Sequence, residues 1–164
     1  IQNLKNEIFK NPSKDHQQIT NLIDKFSGQV SGESIIEKNQ VEIKEIFEKE
    51  NIEEILNKTY SLIQNGSEFS KNTEHELKGK SPTSLKITFK QIHMATEMSL
   101  RDALIMEYRM VQRCQASGDF YEGVRAMLVD KDRNPQWKPS NLDKVDEIWV
   151  NHFFEPLHEK DLKI

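Results

Sequence analysis

This chain of 164 residues has a single cysteine, Cys114, so no internal disulfide can form and a reducing compartment is indicated. It lacks any apolar run near the roughly 18 residues of a membrane span, and no signal or transit segment is legible at its start. Apolar residues are scarce: 35% are hydrophobic and 30% charged, against about 45–50% and about 25% in ordinary domains. The deficit is too small for disorder and points to helices with wide polar faces. An excess of one charge sign is also missing, since 23 basic and 27 acidic residues are interspersed for a net charge of −4, which argues against a general nucleic-acid surface. The chain opens on Ile1 instead of methionine, which leads to the expectation of a processed or excerpted product.

What is present is helical periodicity. Ser13 after Pro12 is a candidate cap for a stripe of Ile19, Leu22, Ile23 and Phe26, and residues 27–35 read as a linker. Val41, Ile46 and Phe47 suggest a short amphipathic helix. Asn51 caps the next, with Glu53 and Glu54 at its positive end, a face of Ile52, Ile55, Leu56, Tyr60 and Ile63, and Asn65-Gly66 as its stop. Residues 67–80 read as a polar-surfaced helix. Ser81-Pro82 is a strong start signal, because serine accepts at the cap and proline is preorganised for the first turn. Leu85, Ile87 and Phe89 alternate as a strand would, yet the cap favours helix. Ser99 with Asp102 caps the longest element, with the expected buried stripe Leu100, Leu104, Tyr108, Val111 and Cys114, ended by Gly118. Residues 140–154 hold a short helix or turn carrying Ile148, Trp149, Phe153 and Phe154. These readings predict a mainly α chain.

The most distinctive stretch runs from Asp119 to Pro139. Asp119 is placed as an N-cap and Glu122 as its capping-box partner, followed by an apolar face of Phe120, Val124, Met127 and Leu128. Pro135 and Pro139 end regular structure, and Trp137 between them is a docking anchor. Convergent catalytic chemistry is not legible. The histidines at 16, 75, 93, 152 and 158 show no metal-ligand spacing, and His93 reads as structural or solvent-exposed. Cys114 reads as an inert thiol on an apolar stripe. Asp130, Asp132 and Asn134 imitate a calcium loop, but the sixth and twelfth positions hold Pro135 and Asn141 where glycine and glutamate are required. Glu107, Tyr108 and Arg109 point in different directions on one helix, one toward the core and two toward the surface or ion pairs.

A resemblance adds to this. Ser81-Pro-Thr-Ser-Leu-Lys-Ile-Thr88, Met106-Glu-Tyr-Arg109, Asp119-Phe-x-Glu-Gly-Val-Arg-Ala126, Asp130-Lys-Asp132 and Pro135-x-Trp-Lys-Pro139 occur in one order, and Asp161-Leu-Lys-Ile164 resembles a natural end. Together they resemble the C-terminal portion of the 3-hydroxyisobutyryl-CoA hydrolase family, acyl-CoA hydrolases of the crotonase superfamily. The resemblance divides the chain into a variable helical segment, 1–80, and a crotonase-type helical segment, 81–164. It implies a crotonase-type α/β spiral whose N-terminal core lies outside this sequence, mitochondrial valine breakdown, and an acyl-CoA substrate with no separate cofactor or metal. The oxyanion amides and catalytic carboxylates are then expected upstream of Ile1, and none in this chain. Arg125, Lys131 and Arg133 are the candidate contacts to the CoA phosphates, a homo-oligomer is allowed, and neither nucleic acid nor membrane is implied. On this basis the isolated chain is expected to be inactive. The alternatives are a noncatalytic helical interaction module derived from a crotonase relative, and a different crotonase such as an enoyl-CoA hydratase or isomerase.

Overall fold

The computed structural model describes residues 2–10, 12, 15–27, 32 and 34–164. Ser13 and most of the expected linker lie outside the described residues. Among the described residues there are ten α-helices and no strand. By packing, the chain divides into Ile1–Lys38 and Asn39–Ile164.

The first unit holds α1 (Gln2–Lys10), α2 (His16–Phe26) and α3 (Ile35–Lys38), with α1 and α2 in contact. Asp15 caps α2 by accepting from the Gln17 amide at 2.9 Å. The stripe of Ile19, Leu22, Ile23 and Phe26 is on this helix as expected, but Leu22 alone is partly buried, and Ile19, Ile23 and Phe26 are exposed, at 37%, 46% and 39%.

The second unit begins with α4 (Gln40–Phe47), α5 (Ile52–Gln64) and α6 (Glu68–Lys78), which pack in succession. The Asn51 side chain accepts from the Glu54 amide at 2.8 Å, so the first orphan donors of α5 are met where the sequence placed them. Ile52 and Ile55 are buried on its inner face with Thr59, whereas Tyr60, expected there, is exposed. Gly66 takes φ +88°, the left-handed conformation that ends α5 without a Cβ penalty. Ser67 caps α6, and the buried Ser70 and Ser67 hydroxyls both donate to Glu42 on α4.

α7 (Pro82–Ala95) is the central element. Ser81 accepts from the Ser84 amide at 3.1 Å. Leu85 and Phe89, one turn apart, face a cluster built on Ile46, Ile52 and Ile55, while Ile87 faces a second cluster with Met106, Met110, Val145, Val150 and Phe153. The strand-like alternation therefore has a helical cause: residues two apart on a helix lie on opposite sides, and this helix is apolar on both because it separates two cores.

α8 (Leu100–Ala116) starts at Ser99, whose hydroxyl accepts from the Asp102 amide at 3.2 Å. Its expected stripe holds in part: Tyr108 and Cys114 are partly buried, Cys114 against the second core, but the other three residues face outward. Met106 and Met110 are buried, while Leu100, Leu104 and Val111 are 77%, 42% and 50% exposed. The helix has two apolar faces, and the flexible methionines, which fill irregular gaps, take the inner one. Arg109 is held by Asp161 near the end of the chain, its Nε 2.8 Å from Oδ1, which fastens the closing residues to α8. α9 (Asp119–Val124) runs into a π-helical turn, Arg125–Val129. A 3-10 turn at Leu142–Lys144, α10 (Glu147–His152) capped by Asp146, and a 3-10 turn at His158–Lys160 complete the order. Phe153, 1% exposed, closes the second core. No helix among the described residues is long and apolar enough to cross a membrane.

Candidate functional site

The distinctive stretch from Asp119 to Pro139 is organised around two side chains, Asp119 and Arg125. Gly118, at φ +87°, occupies the cap position of α9 and makes no side-chain bond, so Asp119 is the first helical residue and not the cap. Its carboxylate is buried, at 8% exposure, and turns inward. Oδ2 accepts from the Ser81 hydroxyl at 2.6 Å and Oδ1 from the Lys138 amide at 2.9 Å. One carboxylate thus joins the start of α7, the start of α9 and the extended segment that follows. Asp-x-x-Glu spacing suggests a local capping box, but a long-range acceptor role uses the same residue type.

Glu122 does not reach back to a cap. Both its oxygens go to Arg125, at 2.9 and 2.8 Å, and Oε1 also accepts from the Gln136 amide at 2.6 Å. The Arg125 Nη1 binds Asp130 at 2.6 Å and Asp132 at 2.7 Å, and Nη2 adds the Asn134 carbonyl at 3.2 Å. All five N–H groups of this guanidinium are used. Hydrogen bonds from Arg125, then from the Gln136 amide, pull the Glu122 carboxyl down to about 2. The same arginine, helped by the Asn134 amide, lowers Asp132, and these carboxylates, Glu122 foremost, raise Arg125. Asp130 and Asp132, which mimic a calcium loop in sequence, are therefore ligands of an internal cation. Among the described residues no three His, Cys, Asp or Glu side chains converge as a metal would require.

The clasp shapes the loop that carries the other two candidate cations. Asp130 donates its amide to the Arg125 carbonyl at 2.8 Å, closing the π-turn, and Arg133 donates to the Ala126 carbonyl at 3.0 Å. Lys131 and Arg133 sit at φ +58° and +54°, a left-handed conformation uncommon for such residues. Their side chains are exposed and make no ion pair among the described residues. The three candidate cations thus share one loop but not one role: Arg125 is enclosed by carboxylates, while Lys131 and Arg133 project from the rim.

Trp137 anchors the extended segment. Its indole N–H donates to the Gly79 carbonyl at 3.2 Å, and its ring lies over Gly123, where an added Cβ would stand 3.3 Å from Cη2. Gly123 is there for close approach. The apolar face expected of α9 is open instead of packed: Phe120, Met127 and Leu128 are 49%, 56% and 68% exposed, and Ala126 is the buried residue of the turn. The π-turn adds a residue between helical registers, and sequence spacing gives no sign of it. The open residues line a groove of 560 Å³ with Ile87, Cys114, Val124 and Phe153, and Thr83 and Asp119 at its polar points. Cys114 is half-buried, and burial pushes its thiol up, which disfavours the reactive thiolate. His93 is exposed, its Nδ1 on the Phe89 carbonyl at 2.9 Å. Glu107 accepts from Gln91 at 3.1 Å, and Arg109 is paired with Asp161.

Comparison with known proteins gives this geometry a setting. The enoyl-CoA hydratase/isomerase family model matches residues 1–154. The chain is 40% identical to the mitochondrial 3-hydroxyisobutyryl-CoA hydrolase of Gallus gallus over 95% of its length, and 37% identical to that of Danio rerio over 100%. It covers only 40% and 43% of those two proteins. Among solved structures, an enoyl-CoA hydratase from Rhodobacter sphaeroides superposes with a TM-score of 0.75 at 25% identity, over 90% of this chain and 45% of that one. A carnitinyl-CoA dehydratase from Mycobacterium thermoresistibile superposes at 0.79 with 21% identity, over 99% and 44%.

Proposed function

Since the chain belongs to the enoyl-CoA hydratase/isomerase family, we propose that it forms the C-terminal helical part of a mitochondrial hydrolase that cleaves the thioester of 3-hydroxyisobutyryl-CoA to 3-hydroxyisobutyrate and CoA. The observation that carries this reading is the 37–40% identity to hydrolases of that name across 95–100% of the chain. Identity of this kind favours a hydrolase over a hydratase, whose likeness here stands at 25%.

The chemistry is then divided between two parts of one polypeptide. Thioester hydrolysis needs preorganised donors where negative charge develops on the carbonyl oxygen, worth about 2.7–4 kcal/mol for each donor lost in a comparable hole, and an acidic or basic side chain to manage the water proton. Glu122 and Asp132 suit neither task, because Arg125 favours their ionised form and both are committed as acceptors. Catalytic groups are assigned to the remaining part of the polypeptide, and this chain supplies support and a charged rim. Lys131 and Arg133 are the cations available to CoA phosphates, and Arg125 serves that contact by holding the loop that presents them. No separate cofactor or metal is required, since coenzyme A is part of the substrate.

The test is a chimaera in which these 164 residues replace the matching part of the Gallus gallus hydrolase. Release of CoA from 3-hydroxyisobutyryl-CoA, followed with a thiol reagent, is expected from the chimaera and not from the isolated chain. A folded chimaera without turnover contradicts the hydrolase reading, and turnover by the isolated chain contradicts the division of labour.

A further inference from the structure

A second cleft, of 340 Å³, lies on another face of α7, bounded by the approach to α5 and by α10. Its floor is apolar: Ile52 and Val150 are 7% and 2% exposed, and Phe89 and Met94 are partly buried beside them. His93 stacks on Phe89 with ring centroids 4.1 Å apart, which fixes one wall. The rim carries both charge signs, with Lys86 and Lys90 one turn apart on α7 and Glu50, Glu53 and Glu147 on the neighbouring elements. These charges do not cancel within the fold. Lys86 is matched, since its ammonium lies 2.7 Å from Glu53 and donates to the Val145 carbonyl at 2.9 Å. Lys90 is held but not matched: its partners are the Asn151 amide oxygen and the Phe154 ring, 5.4 Å away, and neither is charged. The Glu50 and Glu147 carboxylates have no hydrogen-bond or ion-pair partner among the described residues.

We propose that this cleft is a binding site for a small zwitterion, a free α-amino acid with an aliphatic side chain. Its carboxylate is taken by Lys90, its ammonium by Glu50 and Glu147, and its side chain by Ile52, Phe89 and Val150. The class of ligand follows from the lining. An apolar floor with a few convergent polar groups is the usual make-up of a small-molecule site. A purely anionic ligand would meet the two unmatched carboxylates, and a purely cationic one the unmatched ammonium, whereas a zwitterion satisfies both. The cleft is built wholly within Asn39–Ile164 and shares no lining residue with the clasp around Arg125 or with the groove beside α9, so the site is independent of the hydrolase reading. A ligand held there joins α5 and α10 across α7, and binding therefore also stabilises the fold.

L-leucine is the probe, titrated into the purified chain and into the chimaera and followed by saturation-transfer NMR. Both should bind it with a Kd of about 0.1–1 mM, the range for a ligand of this size in an open cleft. Isovalerate, which lacks the ammonium, and isoamylamine, which lacks the carboxylate, should each bind about 3–10-fold more weakly, the size of a partly exposed charge-assisted contact. Lys90→Gln and Glu147→Gln should weaken L-leucine by the same factor, while Lys71→Gln, exposed on α6 and outside the cleft, should leave it unchanged. Glu147 is exposed, so its variant tests the rim even where Lys90→Gln melts early. A cooperatively melting chain that L-leucine does not saturate by about 10 mM overturns the proposal, as do equal affinities for the three ligands or an unchanged affinity in both variants. Binding by the chain that is lost in the chimaera shows that the N-terminal part fills the cleft and also overturns it. CoA release by the same chimaera separates the two readings: its absence with L-leucine bound contradicts the hydrolase alone, and its presence without binding contradicts the amino-acid site alone.

Discussion

Replacing Asp119 with alanine should be among the costliest single changes in the distinctive stretch, because one carboxylate ties three segments. It removes the acceptor of the Ser81 hydroxyl at 2.6 Å and of the Lys138 amide at 2.9 Å, at a position 8% exposed. Ser81 keeps its bond from the Ser84 amide, so its share of the loss is partial, whereas the Lys138 N–H is left without an acceptor. Hydrogen bonds to charged groups contribute about 1.5–3 kcal/mol each, so the pair, discounted for the retained cap, comes to about 2–4 kcal/mol. For a chain of this size that corresponds to a fall in melting temperature of about 4–16 °C. Asp119→Asn keeps one acceptor oxygen in place for Lys138 and should lose about half as much or less. The assay is thermal melting of the purified chain followed by circular dichroism at 222 nm, with urea unfolding as a second measure. A melting temperature for Asp119→Ala within 1 °C of the unaltered chain would refute the staple, and equal losses for alanine and asparagine would refute its hydrogen-bonded origin.

The orientation of α8 is tested by two substitutions: Met110→Ala, 6% exposed, should cost about 2–5 kcal/mol and Leu100→Ser, 77% exposed, less than about 0.5 kcal/mol, and the reverse order in urea melts would restore the stripe expected from sequence. Acid titration of stability should show a loss as pH falls from about 4.5 toward 2: Arg125 depresses the folded-state values of Glu122 and Asp132, so their contribution is complete above the ordinary carboxylate range and disappears on protonation. Arg125→Met should flatten that dependence and leave the part due to Asp161, lowered by Arg109, and to Glu45 and Glu76, lowered by Lys58 and Lys80; an unchanged acid profile would remove Arg125 from the cause. Gly123→Val, in a Trp149→Phe background, should displace the Trp137 ring and shift its fluorescence to the red, and an unmoved spectrum would show that the 3.3 Å approach is not confining. In the chimaera, Lys131→Ala and Arg133→Ala should each raise KM for the CoA substrate about 3–10-fold with kcat retained, the size of a partly exposed charge-assisted contact; unchanged KM would take them out of the substrate contact.

Much of the second unit was legible because its helices announce themselves locally. Asn51, Ser81 and Ser99 cap the helices they precede, and Gly66 and Gly118 take the left-handed turns their positions call for. Side-chain direction was less legible. On α8 both faces are apolar, so periodicity alone could not choose between Leu100 and Met106. The contacts around Arg125 are hidden for a related reason. Asp119 and Glu122 have capping-box spacing and Asp130 and Asp132 only imitate a calcium loop, but their partners are Ser81, Lys138, Gln136 and one arginine, set by a π-turn and two left-handed residues that leave no mark in the pattern. The family resemblance, carried by those same residues, was legible because it depends on their order and not on their contacts.

The central claim, a helical C-terminal part whose catalysis depends on the rest of a hydrolase, is tested most directly by CoA release from 3-hydroxyisobutyryl-CoA, measured side by side for the isolated chain and the chimaera. Turnover by the chimaera with none above the blank from the isolated chain is the expected result. Turnover by the isolated chain, or none by a chimaera that melts cooperatively, would contradict it.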